Sequence, residues 1–154
     1  MKKLIEGDLA PAINAVDQDG NKITLEAYKG KKVVLYFYPK DNTPGCTAES
    51  CDLRDNYKEF QEKGFEIVGV SADSEGSHKK FIAKYNLPFT LISDVDKKVL
   101  SDYGAWGEKK MYGKTYMGVL RKTFIINEQG FIEKIIEQVK TNEHSRQIFQ
   151  ELSH

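Results

Sequence analysis

Two hydrophobic periods alternate along the chain. Val33-Val34-Leu35-Tyr36-Phe37-Tyr38 is an unbroken β-branched and aromatic run, the pattern of a strand covered on both faces, and Pro39 stops it. Phe65-Glu66-Ile67-Val68-Gly69-Val70-Ser71 is a second such strand, preceded by the helix-ending pair Lys63-Gly64. Between them the spacing predicts one helix over 44–63, with Leu53, Tyr57 and Phe60 on one side and Asp55, Lys58 and Glu62 on the other. A second helix is expected over 77–85, ending before the extended Leu87-Pro88 pair, and a third, short one over about 97–103. Strands follow at 122–126 and 131–138, joined by the hairpin signal Asn127-Glu128-Gln129-Gly130. A final amphipathic helix over 143–152 gathers Ile148, Phe149 and Leu152 on one side. Near the start, Asp17-Gln18-Asp19-Gly20-Asn21-Lys22 reads as a turn joining two short strands. The segment 106–118 mixes glycines, lysines and aromatics without a clean period and reads as a surface loop, of a length that is often functional.

Strands alternating with helices, then a hairpin and a last helix, predict an α/β sandwich with a mixed central sheet. No repeat, low-complexity tract or linker interrupts the 154 residues, so a single domain over 1–154 is expected. With 40% hydrophobic and 30% charged residues, the composition supports one core and argues against disorder. Lys+Arg (23) balance Asp+Glu (23), so no global field draws the chain to nucleic acid or acidic lipid. No stretch approaches the ~18 apolar residues of a membrane span. The opening Met1-Lys2-Lys3-Leu4-Ile5-Glu6-Gly7-Asp8 meets acids too soon for a secretory signal. Two cysteines are too few for a disulfide scaffold. The expectation is a cytoplasmic protein with two reduced thiols that need a reason.

The reason is sought in Pro39-Lys40-Asp41-Asn42-Thr43-Pro44-Gly45-Cys46-Thr47-Ala48-Glu49-Ser50-Cys51. This stretch joins the end of a buried strand to the start of a helix, where ligands bind in open α/β sheets. Thr43 followed by Pro44 is a helix-start signal, a hydroxyl at the N-cap and proline at the first helical position. Cys46 is then the third helical residue, beside unpaired backbone N–H groups and the positive end of the helix dipole, which stabilise a thiolate. Glu49, one turn on, opposes this unless a cation compensates. At 100° per residue, Cys46 shares the apolar side with Leu53, Tyr57 and Phe60, whereas Cys51 falls on the wet side. In an intact helix their α-carbons stand ~8.7 Å apart, and a disulfide tolerates about 7 Å. Bridging them requires the first helical turns to unwind.

Against a nucleophile stands the commonplace role of cysteine as a small buried hydrophobe. Against both stands zinc, but Cys46 and Cys51 lack zinc spacing, and His78, His144 and His154 form no ligand-spaced pair; no metal or cofactor is expected. Of the three arginines, Arg54 is too far along the helix to touch the Cys46 sulfur, and Arg146 reads as a solvated residue of the last helix. Arg121 precedes the strand 122–126; if that strand neighbours 33–38, its guanidinium can reach the helix start, and otherwise it is a surface residue. Phe37, Trp106 and Met117 are candidates for an apolar pocket wall or, equally, for core packing.

Pro39-x-x-x-Thr43-x-x-Cys46 resembles the active-site pattern of peroxiredoxins. The longer run Tyr38 to Glu49, with Cys51 following and with Arg121-Lys122-Thr123-Phe124 downstream, resembles the peroxiredoxin Q (bacterioferritin comigratory protein) branch. The resemblance implies a thioredoxin-like three-layer sandwich with an N-terminal hairpin extension. It implies that Cys46 is the peroxidatic and Cys51 the resolving cysteine, that Thr43 and Arg121 assist, that Pro39 shields the pocket, and that Glu49 orients the arginine. The implied activity is reduction of hydrogen peroxide and organic hydroperoxides through a sulfenic acid and an intramolecular disulfide. Thioredoxin or a similar dithiol is the implied reductant, and the chain is expected to be a monomer or weak dimer. Two alternatives stand beside it: a general thiol–disulfide oxidoreductase, disfavoured because Thr43 occupies the place of the first cysteine of a Cys-x-x-Cys pair, and a non-enzymatic redox sensor or holdase.

Overall fold

The computed structural model describes residues 3–153; Met1 and Lys2 of the N-terminal segment discussed above, and His154, lie outside it. Its centre is a five-stranded mixed sheet built from β3 (Lys32–Phe37), β4 (Phe65–Ser71), β5 (Thr90–Ser93), β8 (Lys122–Ile126) and β9 (Ile132–Ile136), in the order β5-β4-β3-β8-β9. β4 runs parallel to β3 and to β5, while β8 is antiparallel to β3 and β9 to β8. β3 therefore sits in the middle, which is why its six residues are nearly all apolar and buried.

The pleat of β3 sends alternate residues to two cores. Val34, Tyr36 and Tyr38 face helices α1 (Pro44–Asp55), α2 (Tyr57–Glu62), α3 (Glu75–Tyr85) and α5 (His144–Leu152), which bury Leu53, Phe60, Phe81 and Ile148 there. Val33, Leu35 and Phe37 face the opposite layer, which holds α4 (Lys98–Asp102) through Val99 and Leu100. A small N-terminal hairpin, β1 (Asn14–Val16) with β2 (Lys22–Thr24), completes that layer through Ala15 and Ile23. The three-layer α/β sandwich and the N-terminal hairpin agree with the expectation from sequence. One glycine is required by this packing: a Cβ at Gly69 in β4 would lie 2.8 Å from the Tyr36 ring and 2.7 Å from Leu91.

Three elements differ from the sequence reading. The helix over 44–63 is two helices. Asn56 turns its side-chain amide to the Asp52 carbonyl (2.8 Å), the acceptor its own backbone N–H would use in an α-helix, and that N–H bonds Leu53 instead. The segment read as a loop is a hairpin, β6 (Trp106–Met111) with β7 (Lys114–Val119). Tyr112 and Gly113 both take positive φ at its two-residue turn (53° and 77°). Its far half is exposed on both faces, so no alternation of apolar and polar residues marks it. β5 was not anticipated; its four residues follow Pro88 too closely to show a period. Among the described residues no helix is long and apolar enough to cross a membrane.

Candidate active site

The chain leaves β3 at Phe37, passes Tyr38 and half-buried Pro39, and enters α1 at Pro44. The turn between is held by α3. Asp41 accepts hydrogen bonds from the Tyr38 hydroxyl (2.6 Å) and the Ser77 hydroxyl (2.8 Å), and its Oδ2 lies 2.7 Å from Nδ1 of buried His78. The other ring nitrogen of His78 donates to the Ile92 carbonyl oxygen (2.9 Å). The Asp41 backbone N–H donates to Asp73, which also accepts from Ser71. Asn42, with φ of 60°, is caught by the Tyr85 hydroxyl at 3.0 Å. Asp41, Asp73 and His78 lie close enough to suggest a metal cluster, but these hydrogen bonds already occupy both Asp41 oxygens and the histidine nitrogens.

Thr43 stands at the N-cap of α1 with extended backbone, but its hydroxyl does not cap the helix as its position predicts. It donates to the Lys40 carbonyl oxygen at 2.9 Å. Because its proton is used there, its oxygen lone pairs remain acceptors for a ligand hydroxyl, and the first-turn amides stay without a side-chain cap.

Cys46, in that first turn, is buried in the core beneath α1. The β3–β8 register, with Phe37 opposite Lys122, sets Arg121 beside the end of β3. Its guanidinium forks: Nη2 donates to Cys46 Sγ at 3.2 Å, and Nη1 donates to Glu49 Oε1 at 2.6 Å. A Cβ at Gly45 would stand 3.4 Å from Nη2, in ordinary van der Waals contact, which shows how closely the guanidinium passes the start of α1. Burial works against the arginine's charge, but Glu49 and Cys46 more than offset this, and its pKa is raised. A guanidinium so placed stabilises negative charge on the sulfur.

Glu49 is fully buried, and burial pushes its carboxyl up to about 7 against the pull of Arg121. Its second oxygen, Oε2, has no hydrogen-bond partner. The nearest ring nitrogen is Nε2 of His144, at 3.5 Å. His144 has no proton to offer it. Gln147 accepts the Lys140 backbone N–H on Oε1 and donates through Nε2 to the Gln138 carbonyl, so Oε1 also accepts from His144 Nδ1 (2.9 Å). His144 Nε2 then accepts from the Thr123 hydroxyl at 2.7 Å. Burial lowers this imidazole to about 4.

Cys51 is half-buried rather than on a wet face, and burial raises its thiol while Arg54 pulls the other way. Both cysteines are free thiols. Arg54 bonds Asp55 and the Tyr85 carbonyl, away from Cys46. The structure thus brings Cys46, Glu49 and Arg121 into direct contact, with Thr43 at the same helix start. Phe37 and Trp106 instead join the core of the opposite layer, and Met117 is exposed on β7, so they form no common wall at the sulfur. His144, Thr123, His78 and Asp41 were not anticipated. Only a tertiary contact gives each its role, and spacing carries none.

The arrangement has counterparts. A model of the AhpC/TSA family matches residues 6–135. Peroxiredoxin Bcp of Escherichia coli (strain K12) is 43% identical over 144 residues, covering 94% of this chain and 92% of its own. A Helicobacter pylori (strain J99) protein assigned as a peroxiredoxin bcp is 47% identical over 152 residues, 99% and 100% of the two chains. Peroxiredoxin Q of Xylella fastidiosa superposes with a TM-score of 0.90 at 32% identity, over 99% of this chain and 98% of that one. The bacterioferritin comigratory protein of Xanthomonas campestris, studied for its alkyl peroxide reduction activity, gives 0.88 at 35% identity over the same shares. Likeness of this extent, around a thiol held by a guanidinium, settles membership: the chain belongs to the AhpC/TSA family, in its peroxiredoxin Q (bacterioferritin comigratory protein) branch, and is a thiol-dependent peroxidase.

Proposed function

We propose that Cys46 is the peroxidatic nucleophile, that Cys51 resolves it, and that hydrogen peroxide and organic hydroperoxides are the substrates. The observation that carries this reading is the Arg121 fork, which joins Cys46 Sγ (3.2 Å) to the buried carboxylate of Glu49 (2.6 Å). The Cys46 thiolate attacks the terminal peroxide oxygen, the O–O bond breaks, and the sulfur is oxidised to a sulfenic acid. The alkoxide or hydroxide that leaves takes up a proton and departs as alcohol or water. Thr43 Oγ1 accepts the peroxide O–H, the uncapped amides at the start of α1 hold the reacting oxygens, and Arg121 stabilises the charge that develops on them. Glu49 orients Arg121, and Pro39 shields the pocket from the β3 side.

Cys51 then condenses with the sulfenic acid, forming the disulfide and releasing water. Its distance along α1 means that the first turns unwind to allow this. Thioredoxin or a similar dithiol protein restores both thiols by exchange. The alkyl peroxide activity described for the Xanthomonas campestris relative supports including organic hydroperoxides. The reading includes a single domain over 1–154, acting as a monomer or weak dimer in the cytoplasm. Cys46→Ser is expected to abolish hydroperoxide consumption in a coupled thioredoxin assay with the fold intact by circular dichroism. Turnover at the wild-type rate by that variant would overturn the assignment.

A further inference from the structure

α1 is fastened on both sides of Cys51. The hydroxyls of Ser50 and Tyr36 meet at 2.9 Å in the core. Asp52 Oδ2 accepts the Ser145 backbone N–H at 2.6 Å, and Ser145 Oγ donates to the Asp52 carbonyl oxygen at 3.2 Å. Ser145 is the second residue of α5, a helix whose own N-cap residue, Glu143, makes no side-chain cap. First-turn amides without partners attract a carboxylate, so a residue of α1 caps α5. The two helices are locked at the position next to the second thiol.

This lock opposes the motion that the chemistry needs. Cys46 and Cys51 stand ~8.7 Å apart in a wound helix, beyond the reach of a disulfide. Residues 46–51 must leave helical geometry, and Asp52 holds the end of that segment.

We propose that Ser145 on Asp52 is a latch that sets the rate at which Cys51 closes on oxidised Cys46. The inference rests on the roles given to the two cysteines above. With the latch shut, Cys46 waits as a sulfenic acid. A second hydroperoxide can then transfer one oxygen to it, giving a sulfinic acid and an alcohol or water. With the latch open, the Cys51 sulfur attacks the Cys46 sulfur, the S–S bond forms and the S–O bond breaks. The hydroxyl leaves as water with the thiol's proton. Asp52 and Ser145 touch no reacting atom; they are positioning residues for the second step alone.

Rapid-quench mass spectrometry of the full chain after mixing with hydrogen peroxide separates the two steps. Asp52→Ala is expected to oxidise Cys46 at the wild-type rate and to form the Cys46–Cys51 disulfide roughly five- to thirtyfold faster, the factor that losing the one bond to a charged carboxylate gives. It should also accumulate less sulfinic acid at excess peroxide. Asp52→Asn keeps an acceptor oxygen and should stay near wild type. Ser145→Ala loses only the hydroxyl contact, should shift the second step in the same direction by less, and supplies the test if Asp52→Ala fails to fold. A merely structural role would leave the second step unchanged or slow both. Disulfide formation in Asp52→Ala and Ser145→Ala at or below the wild-type rate would overturn the latch while leaving the peroxidase roles standing. A wild-type chain in which Cys46 is never oxidised would overturn those roles themselves.

Discussion

Two buried carboxyl–histidine pairs flank the turn that carries Cys46, and they are built to different standards. In the first, Asp41 and His78 lie 2.7 Å apart, and both carboxylate oxygens and both ring nitrogens have partners. In the second, Glu49 and His144 stand 3.5 Å apart, and Glu49 Oε2 has no hydrogen-bond partner. Buried polar atoms are nearly always paired, because leaving one bare costs about 1–3 kcal/mol. The satisfied pair fixes where the turn goes. The unsatisfied pair sits against Arg121, and there the fold tolerates a buried carboxyl balanced near neutrality, at about 7, as the cost of holding a guanidinium on a sulfur. Strain at the second site and completeness at the first divide the work between chemistry and architecture.

Breaking the first pair should cost stability before it costs chemistry. Asp41→Ala strips partners from His78, Tyr38 and Ser77, and a broken buried pair costs about 3–5 kcal/mol. Urea denaturation should show that loss, with the folded fraction still oxidising Cys46. A stable Asp41→Ala with slow peroxide oxidation would place chemistry in the wrong pair. Arg121→Met tests the second pair from the other side. Removing one donor that stabilises developing charge costs about 2.7–4 kcal/mol of barrier, or about 10²–10³ in rate. Stopped-flow oxidation should fall by that factor, and the unfolding midpoint should fall as well, because the variant leaves the buried Glu49 carboxyl without its partner.

The smallest effect is the most diagnostic. Glu49 is raised from 4.5 to about 7 in the fold, so the folded chain binds its proton first as pH falls, and this term stabilises the fold progressively from pH 7 down to 4.5. His144 is lowered from 6.5 to about 4, so the unfolded chain binds its proton first, and this term removes stability from pH 6.5 down to 4. In the wild type the two slopes oppose and largely cancel. His144→Asn should therefore gain stability relative to wild type as pH falls through that window, and Glu49→Gln should lose it, each by up to about 3 kcal/mol. Urea midpoints at intervals from pH 4.5 to 7 measure both, and slopes of the same sign would contradict the opposite shifts of Glu49 and His144.

Much of this was legible in the sequence. The strands over 33–38 and 65–71, the helix start at Thr43-Pro44 and the burial of Cys46 follow from local pattern, because each is decided by residues a few positions apart. Arg121 was legible conditionally: its reach depended on β8 lying beside β3, which the register supplies. The Thr43 hydroxyl differs from the expectation because it can accept from a helix amide or donate to a carbonyl, and position along the chain does not decide between a first-turn N–H and the Lys40 oxygen. His144 and His78 were invisible for a plainer reason. Each meets its carboxylate across a helix packing, at separations of 95 and 37 residues where no periodicity reaches. The hairpin over 106–119 escaped because its outer half has no buried face to impose an alternation.

The most direct test of the whole account is the mass of the reduced chain after one equivalent of hydroperoxide, followed by peptide mapping. The account predicts a loss of two hydrogen atoms and a cross-link joining the peptides of Cys46 and Cys51. A chain that consumes the hydroperoxide while both thiols stay free, or that carries the added oxygen on any residue other than Cys46, would contradict it.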